Sequence, residues 1–358
     1  MAVTMNTVIC DLLGIRYPIL LAPMAGIPNM ASLVSAVSNG GGLGSLGAAY
    51  LEPGEIRQII REIRQQTDAP FAVNLFAQVG PDDLTRLEEV NAGLDGARTA
   101  LGISAPDRSA VVTPDLFEEQ FAAVLEENVP VLSLTFGLLS EQHMERARKA
   151  GVKIIATATT VEEAVQAQEA GCHAVTAQGS EAGGHRGTFD TSVQRMGANI
   201  GVMALVPQMV DAVDIPVIAA GGIMDGRGLA ASLALGAAGV QIGTRFLTSA
   251  ESGAHPAYKQ ALLSSTEEST TLTDAFSGRP ARGIHNKFIR EWDAAGLKPL
   301  PFPSQNTLTR AIRSAAAQQD EAGYMALWAG QGTRLLTDGQ PAGEIVQQIA
   351  AEAQRIWS

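Results

Sequence analysis

The sequence predicts an α/β protein, a (β/α)8 barrel with a smaller, mainly helical second domain built from insertions. Three observations predict it. Eight short apolar runs have the length of buried parallel strands. Amphipathic helical stretches lie between most of them. Glycines, 37 in all, cluster just after the apolar runs, where strand ends turn sharply and approach a ligand. Eight β–α units in roughly 250 residues match the arithmetic of a TIM barrel. An open, doubly wound sheet would carry G-x-G-x-x-G after its first strand. Here that place reads Pro23-Met24-Ala25-Gly26.

The eight predicted strands are residues 18–22, 42–46, 71–75, 131–135, 153–157, 174–177, 217–220 and 240–243. Helices are predicted over 55–66, 140–150, 160–170 and 226–235. The third opens on Thr159-Thr160-Val161-Glu162-Glu163, hydroxyls followed by acids, as a helix start requires. The second closes on Lys149-Ala150-Gly151, a cation in the last turn with glycine after it. Residues 77–128 form an insertion after strand three, with helical patterns over 81–90 and 114–127. The expected organisation is a barrel over 1–248, a smaller helical substrate or lid domain over 249–335, and a C-terminal helix over 336–358 that packs back on the barrel.

Of the 358 residues, 46% are hydrophobic and 17% charged, enough apolar content for a full core. The net charge of −12 repels nucleic acid and anionic membrane surfaces, and leaves room for a small anion only in a local positive pocket. Two cysteines, Cys10 and Cys172, make neither a disulfide framework nor a zinc cluster. Cys172, just before strand six, reads as a small buried hydrophobe. No run of about 18 uncharged apolar residues is present, so no membrane span is expected, and the protein is read as cytoplasmic.

The chemistry is expected at the C-terminal ends of the strands. Strand seven runs into Ala220-Gly221-Gly222-Ile223, and strand eight into Gln241-Ile242-Gly243-Thr244. Glycines there let backbone N–H groups approach phosphate oxygens, and the helix beginning near Asp225 adds a positive dipole end. The sharpest feature follows strand six: Gln178-Gly179-Ser180-Glu181-Ala182-Gly183-Gly184-His185-Arg186-Gly187. So many glycines exclude a helix interior and predict a loop that delivers His185 to the barrel mouth. Glu181 and Arg186 are the neighbours in sequence that could tune its pKa. Asn74, Gln178 and Gln241 place amides at three strand ends, suited to a heterocycle with mixed donors and acceptors such as a flavin, or to loop backbone. The histidines are scattered, without metal-ligand spacing, so no metal is expected.

At these residues the chain resembles the nitronate monooxygenase family, formerly the 2-nitropropane dioxygenases. The segments that carry the resemblance are 18–26, 71–76, 178–187, 219–222, 241–244 and 275–286. It implies an FMN-binding barrel with FMN contacts at Asn74, Gln178, Gly183, Gly222 and the stretch Gln241, Ile242, Gly243, Thr244, with Met24 and Gly221 as further contacts by position. It implies that His185 is the active-site histidine, and that the stretch containing Phe276-Ser277-Gly278-Arg279-Pro280 closes over the site. Some members carry a lysine at the end of strand five, where this chain has Thr157. The activity implied is FMN-dependent oxidation of alkyl nitronates by O2, with carbonyl compound and nitrite as products. The partners are then a nitronate or nitroalkane and O2, with a homodimer as the assembly considered. The alternative is an NAD(P)H-dependent flavin reductase of the same fold.

Overall fold

The computed structural model describes residues 5–357; residues 1–4 and 358 of the expected spans lie outside it. Eight parallel strands form the barrel: Ile19–Leu21, Gly44–Gly47, Phe71–Phe76, Val131–Thr135, Lys153–Ala158, Ala174–Gln178, Val217–Ala220 and Gly239–Ile242. Each falls on a predicted run, with bounds moved by one or two residues. Strands one and eight pair in register, Leu20 opposite Gln241. The ring closes where the Leu21 N–H donates to the Leu43 carbonyl at 2.8 Å and the Leu43 N–H to the Ile19 carbonyl at 2.9 Å.

Strand alternation explains both the core and the site. Val73, Leu132, Leu134, Ile154, Ala156, Val175, Ala177, Ala219 and Val240 face the surrounding helices and join the main hydrophobic core. Their alternate neighbours Leu20, Ala72, Val131, Ile155, Ala174 and Ile218 form a separate cluster inside the barrel, plugged by Ile9, Cys10 and Leu13 of the helix Val8–Leu13. Two residues further along the same inward phase come Asn74, Ser133, Thr157, Thr176 and Ala220. The barrel is therefore apolar at its base and polar toward its mouth, the end at which Gln178 also lies.

The predicted helices appear as Pro53–Gln66, Glu141–Lys149, Val161–Glu169 and Gly226–Ala234. Thr160 and Glu163 form a reciprocal capping box at the third. Ser140 accepts from the His143 N–H at the second. In the insertion, the expected helix over 81–90 is displaced to Leu87–Gly93. Asp82 and Asp83 instead bind loop partners, Asp82 accepting from Thr113 and Ser304 and Asp83 from Thr85. The insertion and the later chain share one core: Leu87, Val90, Leu94 and Leu101 pack with Phe276, Phe288, Trp292, Ile312 and Tyr324. This unit is not helical throughout. Thr270–Thr273 and Ala281–Ile284 form an antiparallel hairpin. The helix Ala342–Trp357 buries Ile345, Val346, Ile349 and Ala353 and lies on the helix Gly226–Ala234. A Cβ on Gly226 would stand 2.3 Å from the Glu352 Cβ, so glycine permits this contact.

Candidate active site

Four strand ends, those of strands one, six, seven and eight, meet in one cleft, lined by Ala22, Gln178, Gly183, Gly221, Gly222, Gln241, Ile242, Gly243 and Thr244. Gly221 and Gly222 have φ of 129° and 66°, backbone that side chains rarely adopt. The far wall is a segment that sequence reasoning missed, Ala329-Gly330-Gln331-Gly332. A Cβ on Gly183 would stand 2.5 Å from the Ala329 carbonyl carbon and from the Gly330 nitrogen. The Gly330 N–H donates to the Thr244 hydroxyl at 3.0 Å, and the Gln331 N–H to the Glu181 carbonyl at 3.0 Å.

The helix beginning at Gly226 does not present its N-terminus to this cleft as a free dipole end. Asp225 accepts from the Arg227 N–H, and the Glu352 carboxylate accepts from the Gly226 N–H at 3.0 Å. Two carboxylates already satisfy that helix end. The cleft is instead met by the short helix Thr244–Leu247, with Gly243 before it.

The three strand-end amides divide. Asn74 is buried and donates through Nδ2 to the Ser133 carbonyl, the Ser133 hydroxyl and the Thr135 hydroxyl at 3.0–3.2 Å. Gln178 holds the following loop at both ends: Nε2 donates to the His185 carbonyl at 2.9 Å, and Oε1 accepts from the Gly187 N–H at 2.8 Å. Gln241 lines the cleft and makes no side-chain hydrogen bond within the described chain. Met24 lies in the loop after strand one. A Cβ on Gly47 would meet the Met24 nitrogen at 2.9 Å. Thr157 packs beneath Gly187, whose Cβ would stand 2.7 Å from the Thr157 methyl.

The glycine-rich stretch after strand six is not wholly a loop. Gly184–His185 forms a short strand paired antiparallel with Ala281 and Arg282 of the outer hairpin. His185 is thus positioned by the outer unit as well as by the barrel. Arg186 is fully buried and donates to the carbonyls of Gln178, Gly179 and Ala198 at 2.7–3.3 Å. Glu181 accepts from the Val202 N–H at 3.0 Å, at a helix N-terminus. Both residues hold the loop rather than tune the histidine.

The groups that tune His185 come from elsewhere. Burial, followed by the positive charges of Arg279 and Arg313, pushes the imidazole down to about 3. Its ring is neutral at pH 7. Ser277 donates its hydroxyl to the Arg279 carbonyl at 3.0 Å and accepts from the Arg279 N–H. Its oxygen also lies 2.8 Å from His185 Nε2, so a hydrogen bond anchors that side of the ring. Phe136, Phe302 and Trp328 surround the ring at centroid distances of 5.6, 6.5 and 5.4 Å. Phe136 is fully buried at φ 68°, a conformation costly for an aromatic residue by about 1–3 kcal/mol. The Arg279 guanidinium lies 3.9 Å above its ring.

Ser277 and Arg279 fall in the stretch expected to close over the site. Tyr50, Phe136, Phe302, Arg313 and Trp328 carried no local signal. Gly330 and Gly332 had one, a local cluster of glycines like those after strands six and seven. Among the described residues, no cluster of His, Cys, Asp or Glu could hold a metal ion, and no helix is long and apolar enough to cross a membrane.

Residues 6–352 match the family model for nitronate monooxygenase. A probable nitronate monooxygenase of Staphylococcus saprophyticus is 43% identical over 357 residues, covering 99% of each chain. The structure of nitroalkane oxidase from Streptomyces ansochromogenes superposes with a TM-score of 0.90 at 42% identity, covering 97% of this chain and 98% of that one. FabK from Thermotoga maritima shares the fold more distantly, with a TM-score of 0.78 at 30% identity over 99% and 97% of the two chains. With an eight-stranded barrel, a glycine-lined cleft at its mouth and a histidine hung beside it, this chain belongs to the nitronate monooxygenase family, flavin-dependent oxidoreductases that oxidise nitronates.

Proposed function

We propose that the chain binds FMN in the glycine-lined cleft and oxidises alkyl nitronates with O2, releasing a carbonyl compound and nitrite. The observation that carries this reading is the convergence of glycines from the ends of strands six, seven and eight on one cleft beside His185. The donor set suits a phosphate-bearing heterocycle. Gly221 and Gly222 keep side chains out of the way, the Thr244 hydroxyl remains able to donate, and Gln241 offers an amide with no partner among the described residues. Gln178, Gly183, Gly221, Gly222 and Gln241 through Thr244 would hold the group, with Met24 and Asn74 as further contacts. Bound there, FMN supplies the two-electron redox chemistry that couples nitronate oxidation to O2.

The chain's own part is to bind, orient and exclude water. Phe136, Phe302 and Trp328 wall the histidine with apolar surface. Ser277 holds the ring in place through its contact with Nε2. A ring held near 3 is a weak base for taking a proton from carbon. The preformed nitronate anion is accordingly the substrate in this reading, and the neutral nitroalkane is a poor one.

The test is the absorbance spectrum of the purified protein, followed by anaerobic titration with ethyl nitronate, propionate 3-nitronate and then NADH. The expected result is a yellow protein bleached by nitronate, with nitrite formed when O2 is readmitted. Bleaching by NADH and not by nitronate would make it a flavin reductase. A colourless protein that takes up no FMN would end the flavin reading.

A further inference from the structure

Arg279 and Arg313 differ from most other arginines of the chain. Arg57, Arg61, Arg86, Arg146, Arg195, Arg227 and Arg334 each pair with a carboxylate. Among the described residues Arg279 hydrogen-bonds the carbonyls of Thr188 and Phe189 and no carboxylate, although the charges of Glu163 and Asp190 act on it. Arg313 bonds only the carbonyl and side-chain oxygen of Asn306, at 2.6 and 2.9 Å. Each leaves a buried Nε–H with no acceptor. A buried, unanswered donor on a charged group is costly and calls for a missing acceptor.

Both guanidiniums act on the same place. Their charges reach His185, and that of Arg313 also reaches Tyr50. Tyr50, Phe76, Phe136 and Phe302 join in ring contacts at 4.4–6.0 Å, so the aromatic wall follows strands two, three and four. In an eight-stranded ring that side lies across the mouth from the glycine turns of strands seven and eight. The arginines are thus well placed for something other than the cofactor's phosphate.

We propose that Arg279 and Arg313 are the anion-recognition element of the active site, holding the planar dioxygen group of a nitronate beside the neutral His185. Nη2 of each guanidinium is already engaged, so the unanswered Nε–H of each can meet one oxygen of a planar dioxygen group, the feature a nitronate shares with carboxylate and nitrate. In a chain of net charge −12, this pair supplies the local positive field that an anionic substrate needs. The inference rests on nitronate as the substrate, and it assigns selection of anion over neutral nitroalkane to these two residues.

The experiment uses flavin-loaded Arg313→Gln and Arg279→Gln, with Arg313→Lys and Arg279→Lys as variants that keep the charge. KM for ethyl nitronate should rise about 10- to 100-fold in each Gln variant, with a smaller change in kcat and none in KM for neutral nitroethane. The Lys variants should recover part of the loss. Calorimetric titration with sodium nitrate, a redox-inert planar anion, should show binding to wild type that weakens by the same factor. Folded Gln variants with unchanged KM and unchanged nitrate affinity would overturn the proposal. A rise in KM for NADPH alone would overturn it too, by giving the pair to a phosphate-bearing cosubstrate. If wild type binds nitrate through this pair yet never oxidises nitronate, the substrate reading fails while the anion site stands.

Discussion

The neutrality of His185 has a thermodynamic consequence that titration exposes. In the folded chain, burial and the two arginines hold the imidazole near 3, against an ordinary 6.5. In the unfolded chain the ring regains its ordinary pKa. Between these values the unfolded chain binds more protons than the folded one, so stability falls as pH falls through 6.5 and continues to fall toward 3. Above about pH 7 the contribution is fully present. Inside the window each pH unit corresponds to about 1.4 kcal/mol, so this ring alone removes about 2.5 kcal/mol between pH 7.5 and 4.5. Urea unfolding of flavin-free wild type and His185→Asn across that range measures it. Carboxylates contribute alike to both proteins, so the wild-type-minus-variant difference isolates the ring. Wild type should lose about 2.5 kcal/mol more than the variant. Parallel curves would mean that His185 protonates normally, which would remove the case for a neutral ring beside the two arginines.

Three further outcomes are expected from single substitutions. Ser277→Ala removes the hydroxyl that holds His185 Nε2; it should cost about 1–2 kcal/mol in thermal unfolding, and nitrogen NMR of the ring should show a changed tautomer ratio. Gly183→Ala drives a Cβ to 2.5 Å from backbone atoms of Ala329 and Gly330. It should destabilise by about 1–3 kcal/mol and weaken FMN binding in a fluorescence titration. Glu352→Gln weakens the cap on the Gly226 N–H, and a melting curve should show a loss of about 0.5–1 kcal/mol with FMN affinity unchanged.

What could be read from the sequence was what depends on neighbours along the chain. Buried strands write themselves as short apolar runs, so all eight barrel strands were legible, and the glycines of 221–222 and 243 marked the turns that line the cleft. The helix over 81–90 was misplaced because Asp82 and Asp83 are held by loop partners, and Ser304, which binds Asp82, stands far along the chain. The dipole assigned to the helix at Gly226 failed for the same reason: its cap, Glu352, arrives with the last helix. The Gly184–His185 strand could not be read either, since a two-residue strand exists only through its partners Ala281 and Arg282.

The same distinction explains why the histidine was legible and its electrostatics were not. His185 stands in a run of glycines that no helix would tolerate, a signal confined to a few positions. Its pKa is set by Arg279, brought in by the hairpin that pairs with Gly184–His185, and by Arg313, carried on the helix Arg310–Gln318. Glu181 and Arg186 are nearer in sequence, but Glu181 caps a helix and Arg186 spends its guanidinium on three carbonyls. A charged side chain acts through the space it faces, and that space is decided by packing. The one trace in composition is indirect. A chain with 37 acidic residues leaves two half-buried arginines beside its histidine with no carboxylate hydrogen-bonded to either among the described residues. Stability alone gives no reason for that arrangement, because a paired or apolar substitute would avoid the orphaned donors. On the anion-site proposal, an anion entering the site would answer those donors and raise the histidine's pKa toward its ordinary value, coupling substrate binding to the protonation of the ring.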